Sequence, residues 1–185
     1  MARACYYQLR CIGRIRPNIS DEAAATLIHA FISSKLDSLN SLLVGLPETV
    51  IRKLQLIQNN AARIVMRKRK CDHITPVLKE LHWLPVRQRI KYKICMLTFK
   101  GLHGLAPKYV SDMLTRYAPG RRLRSSAETL LHVKVPRLKN TGGRAFEVAA
   151  PKLWNRLPSS LRNCLDFDDF KRDLKTHFYR EAFDE

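Results

Sequence analysis

The stretch from Val86 to about Leu102 constrains what this chain can fold into more than any other. It follows Trp83-Leu84-Pro85, a turn signal, and carries Ile90, Tyr92, Ile94, Met96, Leu97 and Phe99. At about 100° per residue these side chains cover more than half of a helix circumference. A helix apolar over that much of its surface belongs at the centre of a fold, with other elements packed around it. Arg87, Arg89, Lys91 and Lys93 are confined to its first half.

The flanking segments read as the helices that surround it. A short amphipathic segment runs to Ile15 and stops before Pro17, because proline disfavours helix in the residue preceding it. Ser20 caps a second helix, with Asp21 and Glu22 in the first turn where the dipole favours negative charge. Leu27, Phe31, Leu39 and Leu42/Leu43 form its expected apolar stripe, with a kink near Ser33–Ser34. Gly45-Leu46-Pro47 breaks that helix, and Pro47 opens the next. In this third helix Val50, Leu54, Ile57, Ala61 and Ile64 recur at spacings of 4, 3, 4 and 3, and Arg52, Asn59, Arg63 and Arg67 occupy the other side. Thr75-Pro76 reads as a cap and first-turn proline for a short helix to about His82; Pro107 starts another that holds Tyr109, Val110 and Met113.

Residues 116–144 differ in character. Ala118-Pro119-Gly120 and Thr141-Gly142-Gly143 are turn signals, and Leu131, Val133 and Val135 alternate with polar neighbours, which predicts a short strand. Asp166 caps a final helix whose stripe is Phe167, Phe170, Leu174 and Phe178. The expected fold is mostly α: a helical bundle over residues 1–115, then a smaller α+β segment over 116–185 with one or two short strands and C-terminal helices.

Charge narrows the function. The net charge is +18, and it is concentrated: residues 49–165 hold 25 basic and five acidic side chains, residues 1–48 five and four, residues 166–185 four and seven. So large a surplus repels itself in a compact state and points to a polyanionic partner. Within the basic region Arg52, Arg63 and Arg67 are expected on one helical face, running into Arg67-Lys68-Arg69-Lys70, with Arg121, Arg122 and Arg124 as a second contact. Such a face would follow a phosphate backbone, which fixes position without reading sequence. Tyr117 and Trp83 are aromatic groups able to stack on bases, although Trp83 is better explained as core.

Catalytic chemistry finds little support. Phe167-Asp168-Asp169-Phe170 resembles a metal-binding aspartate pair, but its apolar neighbours keep a helical period and acids are expected in a first turn. Cys71, His73 and His82 lack the second closely spaced ligand pair of a zinc site. No phosphate-binding glycine loop, serine-nucleophile motif or zinc-protease helix motif is present. Five scattered cysteines and the absence of a secretory leader pattern lead us to expect free thiols in the nucleus or cytoplasm, not a secreted protein.

Several segments, in order, resemble one family. They are Ile15-Arg16-Pro17, Leu27-Ile28-His29-Ala30-Phe31, Leu42-Leu43-Val44-Gly45-Leu46-Pro47 and Leu56-Ile57-Gln58-Asn59-Asn60-Ala61-Ala62-Arg63. Next come His73-Ile74-Thr75-Pro76-Val77-Leu78, Leu81-His82-Trp83-Leu84-Pro85-Val86 and Leu102-His103-Gly104-Leu105-Ala106-Pro107. Leu123-Arg124-Ser125-Ser126 and the run from Ala149 through Lys152-Leu153-Trp154-Asn155-Arg156-Leu157-Pro158 complete the series. Together they resemble the region after the palm in reverse transcriptases of LINE-type (non-LTR) retrotransposons, of the jockey-like and chicken-repeat-like clades. One departure is Leu36-Asp37-Ser38-Leu39-Asn40, where an aromatic and a cysteine often follow the aspartate.

The resemblance implies a thumb-like bundle and a C-terminal extension, packed in the intact protein against an upstream palm. In the family these parts hold RNA template, RNA–DNA hybrid or target DNA during target-primed reverse transcription, while the catalytic aspartates and the endonuclease lie upstream. On that reading the chain is not an enzyme as it stands and takes no cofactor and no metal. A basic module for an acidic protein or an anionic membrane, and a non-functional relic reading frame, are the competing expectations.

Overall fold

The computed structural model describes residues 1–38, 43–118, 129–135, 143 and 145–184. The fold is mostly α, as expected. Helices α1 (Ala2–Ile15), α2 (Asp21–Ile28), α3 (Ser34–Asp37), α4 (Glu48–Val65), α5 (Ile74–Glu80), α6 (Val86–Leu102) and α7 (Lys108–Ser111) are followed by α8 (Phe146–Trp154), α9 (Ser159–Arg162) and α10 (Phe167–Phe183). A π-helical turn, His29–Ser33, joins α2 to α3, and a 3-10 turn, Arg16–Asn18, follows α1. No helix among the described residues is long and apolar enough to cross a membrane.

Helix α6 lies at the centre. The first of two buried clusters takes Val86, Ile90 and Ile94 from α6 and packs them with Cys5, Leu9 and Ile12 of α1, Ile28 of α2 and Leu54, Ile57 and Ala61 of α4. The second takes Cys95 and Phe99 from the end of the same helix and packs them with Trp154, Phe170, Leu174 and Phe178. Phe99 is fully buried and stacks on Phe170, ring centroids 4.4 Å apart. The four cations in the first half of α6 meet carboxylates from three elements: Arg87 pairs with Glu48, Arg89 and Lys93 with Asp37, and Lys91 with Glu181.

The start of α6 has no side-chain cap of its own. Helix α4 supplies one. The Val86 amide donates to Gln55 Oε1 at 2.8 Å, and the buried Gln58 amide donates to the Leu84 carbonyl at 2.8 Å. These two glutamines satisfy backbone groups that the turn into α6 leaves open.

The expected stripes need correction in three places. In the second helix the buried series is Ala24, Ile28, Ile32 and Leu36, each four apart, whereas Leu27 is half-buried and Phe31 is 41% exposed. The wide π turn sits where a kink was expected; it lengthens the local repeat, so a four-residue spacing stays on one face. Leu39 and Leu42 lie outside the described residues. In α4 the buried face includes Ile51, Gln58, Ala62 and Val65 as well as Leu54, Ile57 and Ala61; Val50 is exposed and Ile64 half-buried. That face is broad because α1 and α2 pack on one side of it and α5 and α6 on the other. Helix α5 starts at Ile74 with His73 as its cap, so Thr75 and Pro76 fall inside the first turn. The missing amide hydrogen of Pro76 is harmless there, since first-turn amides have no intrahelical acceptor.

The predicted strand is absent among the described residues. Only one antiparallel bridge forms, between Arg116 and Leu131. The bridge is made by the Tyr117 amide on the Leu130 carbonyl (2.9 Å) and the His132 amide on the Thr115 carbonyl (2.8 Å), and on the opposite edge the Asn155 side chain accepts from the Leu131 amide at 2.9 Å and donates to the Leu131 carbonyl at 2.8 Å, closing that edge to a further strand. Leu131 is buried as the alternation implies, but Val135 is 90% exposed. In the final helix Asp166 accepts from the amides of Asp168 and Asp169 as expected, and of the expected stripe Phe170, Leu174 and Phe178 are buried while Phe167 is half-buried against the same cluster. Asp168 and Asp169 thus occupy a helical first turn, and Asp169 pairs with Arg172 at 2.8 Å.

Two substitutions test this packing. Phe99→Ala is expected to cost about 3–5 kcal/mol in urea unfolding, and a loss below about 1 kcal/mol would show that the second cluster does not depend on α6. Gln58→Leu leaves the buried Leu84 carbonyl without its donor and is expected to cost about 1–3 kcal/mol by the same measurement; no loss would remove the proposed cap.

Candidate nucleic-acid interface

The end of α4 is held by a buried arginine. Arg16 is 6% exposed. Its Nε donates to the Ile64 carbonyl (2.8 Å), its Nη2 to the Val65 carbonyl (2.8 Å) and to Asp21, and its Nη1 to the Ile19 carbonyl (3.0 Å). Ile64 and Val65 are last-turn carbonyls without intrahelical donors, and a cation there also suits the helix dipole. The paired guanidinium holds the Asp21 carboxyl below its ordinary range, and Arg67 adds to the effect.

Past Val65 the chain turns sharply. Met66 ends the helix, Arg67 takes the left-handed conformation (φ +51°), and the Lys68 amide donates back to the Arg63 carbonyl at 3.0 Å. This is a helix-stop motif in which glycine usually holds the left-handed position. Next, the Asp72 amide donates to the Arg69 carbonyl at 3.2 Å, and Asp72 Oδ2 accepts from the Arg69 amide at 2.7 Å. Lys70 and Cys71 therefore sit at the tip of a closed turn, both exposed.

The expected contacts separate into three groups. Lys68, Arg69 and Lys70 are exposed and make no ion pair among the described residues. Arg52 is likewise exposed on α4, eleven residues before Arg63, about 16 Å along the helix. Arg63 and Arg67 have structural duties. Arg63 is half-buried and donates to the Asp72 carbonyl at 3.1 Å, bracing the loop, while its buried Nε has no acceptor among the described residues. Arg67 does not extend the α4 face, because its backbone has left the helix; its guanidinium reaches the Ile19 carbonyl at 3.3 Å and Asp21 at 3.6 Å. Arg121, Arg122 and Arg124 lie outside the described residues. Tyr117 is 48% exposed, whereas Trp83 is buried and meets His29 edge-on.

A set of cations on α1 joins them. Arg3, Tyr7, Arg10 and Arg14 are exposed and recur at spacings that place them on one helical stripe. Tyr7 is 63% exposed. No carboxylate lies on α1, and these arginines form no ion pair among the described residues. The end of α1 lies beside the end of α4: Gly13, Arg16 and Pro17 line one side of an open groove whose other side is Arg63, Ile64, Arg67 and Lys68. With no side chain at Gly13, that edge of the groove stays low. The signal was present in the sequence as a helix with arginines and no acid, but it was diluted by Asp21, Glu22, Asp37 and Glu48, which belong to other elements.

The ends of α1 and α4 thus meet at a groove, with the loop cations exposed after α4 and Tyr7 exposed among the arginines of α1. It can neutralise phosphates; it has no converging carboxylates. Among the described residues no three His, Cys, Asp or Glu side chains gather as a metal-binding group. Comparison with protein-family models, with curated proteins and with solved structures finds no match to this chain.

Proposed function

We propose that the chain is a non-catalytic nucleic-acid-binding part of a LINE-type reverse transcriptase, gripping template–primer through the rim formed by α1, the end of α4 and the Arg67–Lys70 loop. The observation that carries this reading is the loop itself. Arg16 caps the end of α4 from which it departs, Arg63 and Asp72 hold its backbone by specific hydrogen bonds, and Lys68, Arg69 and Lys70 are exposed without an ion pair among the described residues. A loop braced at both ends presents its cations at little further entropic cost on binding, which favours a fixed, regular polyanion. The ordered resemblance across the chain supplies the family, and the expected palm and its aspartates would lie upstream.

Lys68→Gln/Arg69→Gln/Lys70→Gln alters exposed side chains only and leaves the bracing residues in place. Labelled RNA–DNA hybrid, titrated at two salt concentrations, is expected to bind the native chain with strong salt dependence. Each phosphate contact contributes roughly −0.7 to −0.9 to the logarithmic salt slope, so the triple variant should flatten it by about two units or more. Affinity indifferent to salt, or a variant that binds like the native chain, would overturn the proposal. Flotation with anionic vesicles, without binding to the hybrid, would assign the rim to a membrane surface instead.

A further inference from the structure

A second concavity opens on another part of the molecule, where the π turn, α3, the end of α5, α6 and α10 converge. Its volume is about 410 Å³, within the roughly 300–1,000 Å³ typical of small-ligand sites. Asp37 is the one carboxylate among its lining residues, and it is already engaged by Arg89 (2.9 Å, one of two bonds) and by Lys93 at 3.5 Å. Lys171 and Lys175 stand on successive turns of α10 and line the same cleft. Both are exposed, and their ammonium groups make no ion pair among the described residues. The cleft therefore offers unneutralised positive charge at one wall.

Rings line the same cleft: His82, Trp83 and Tyr92, the last donating its hydroxyl to the Lys171 carbonyl at 3.5 Å. His82 holds a left-handed backbone (φ +51°) at the stop of α5, where the Trp83 amide bonds back to the Leu78 carbonyl at 2.9 Å. The turn leaves His82 exposed in the lining of the cleft. Partial burial and the neighbouring Arg89 also lower the pKa of His29, another lining residue, against an opposing effect of Asp37. It is thus held toward the neutral form, able both to donate and to accept a hydrogen bond.

We infer that this cleft binds a nucleoside monophosphate unit, with its phosphate on Lys171 and Lys175 and its base against His82 and the edge of Trp83. Two sources share that chemistry: a free nucleotide and the 5′-phosphorylated end of a strand. The site is separate from the α1–α4 rim and does not depend on the function proposed for that rim.

The test is calorimetric titration of the full chain with AMP, adenosine, a 5′-phosphorylated RNA hexamer and the same hexamer without its phosphate. At least one phosphorylated probe is expected to bind tenfold or more tightly than its unphosphorylated counterpart; AMP identifies the free nucleotide as the source, the hexamer the strand end. Lys171→Gln/Lys175→Gln, at exposed positions, should abolish that preference, and Lys68→Gln/Arg69→Gln/Lys70→Gln should keep it. Equal binding with and without phosphate, no binding of any probe, or a Lys171/Lys175 variant that behaves like the native chain would overturn the inference.

Discussion

A central helix enclosed by others cannot leave its charges bare, and that requirement organises this molecule. Helix α6 contributes to both buried clusters, so its cationic first half has to be matched from outside. Glu48 at the start of α4, Asp37 at the end of α3 and Glu181 near the end of α10 do this. Charge pairs of this kind contribute little net stability but penalise any arrangement that separates the partners. They set where α3, α4 and α10 end around α6. The same pairing has an electrostatic consequence: carboxylates are drawn to internal duties, and Asp21 too is spent on Arg16 and Arg67. Few remain to offset the cations on α1 and in the loop after α4.

Much of the architecture was legible because its signals are local. The bounds of α6 follow from Pro85 and the apolar run, and the cap and stripe of α10 follow from Asp166 and its phenylalanines. Other features depend on distant partners that no window contains. The buried stripe of α2 runs through Ala24 and Ile28, one residue on from Leu27, and the π turn keeps Ile32 and Leu36 on that face; Asn155, 24 residues away, closes the outer edge of Leu131. Helix α8 carries Pro151 in its interior, a residue that argues against helix, yet the segment is helical with Val148, Ala150 and Trp154 buried.

The candidate site divides in the same way. A run of four cations is visible in any reading of Arg67 to Lys70, but its rigidity is not. Rigidity comes from Arg16, which is 48 and 49 residues away from the carbonyls it caps, and from Arg63, which turns from a phosphate-facing candidate into a brace. The α1 arginines escaped notice because net charge over residues 1–48 averages one uncompensated helix with acids that pair elsewhere. Backbone neutralisation of this type positions a duplex without reading its sequence, which suits the proposed role of holding template and primer of any composition.

Cys71 offers the most direct test, because it stands exposed at the tip of the cationic turn. Its alkylation rate, followed by mass spectrometry, is predicted to fall when RNA–DNA hybrid is added at low salt and to recover at high salt, with Cys164 unaffected. A Cys71 rate indifferent to excess hybrid would contradict the assignment of this loop to nucleic acid.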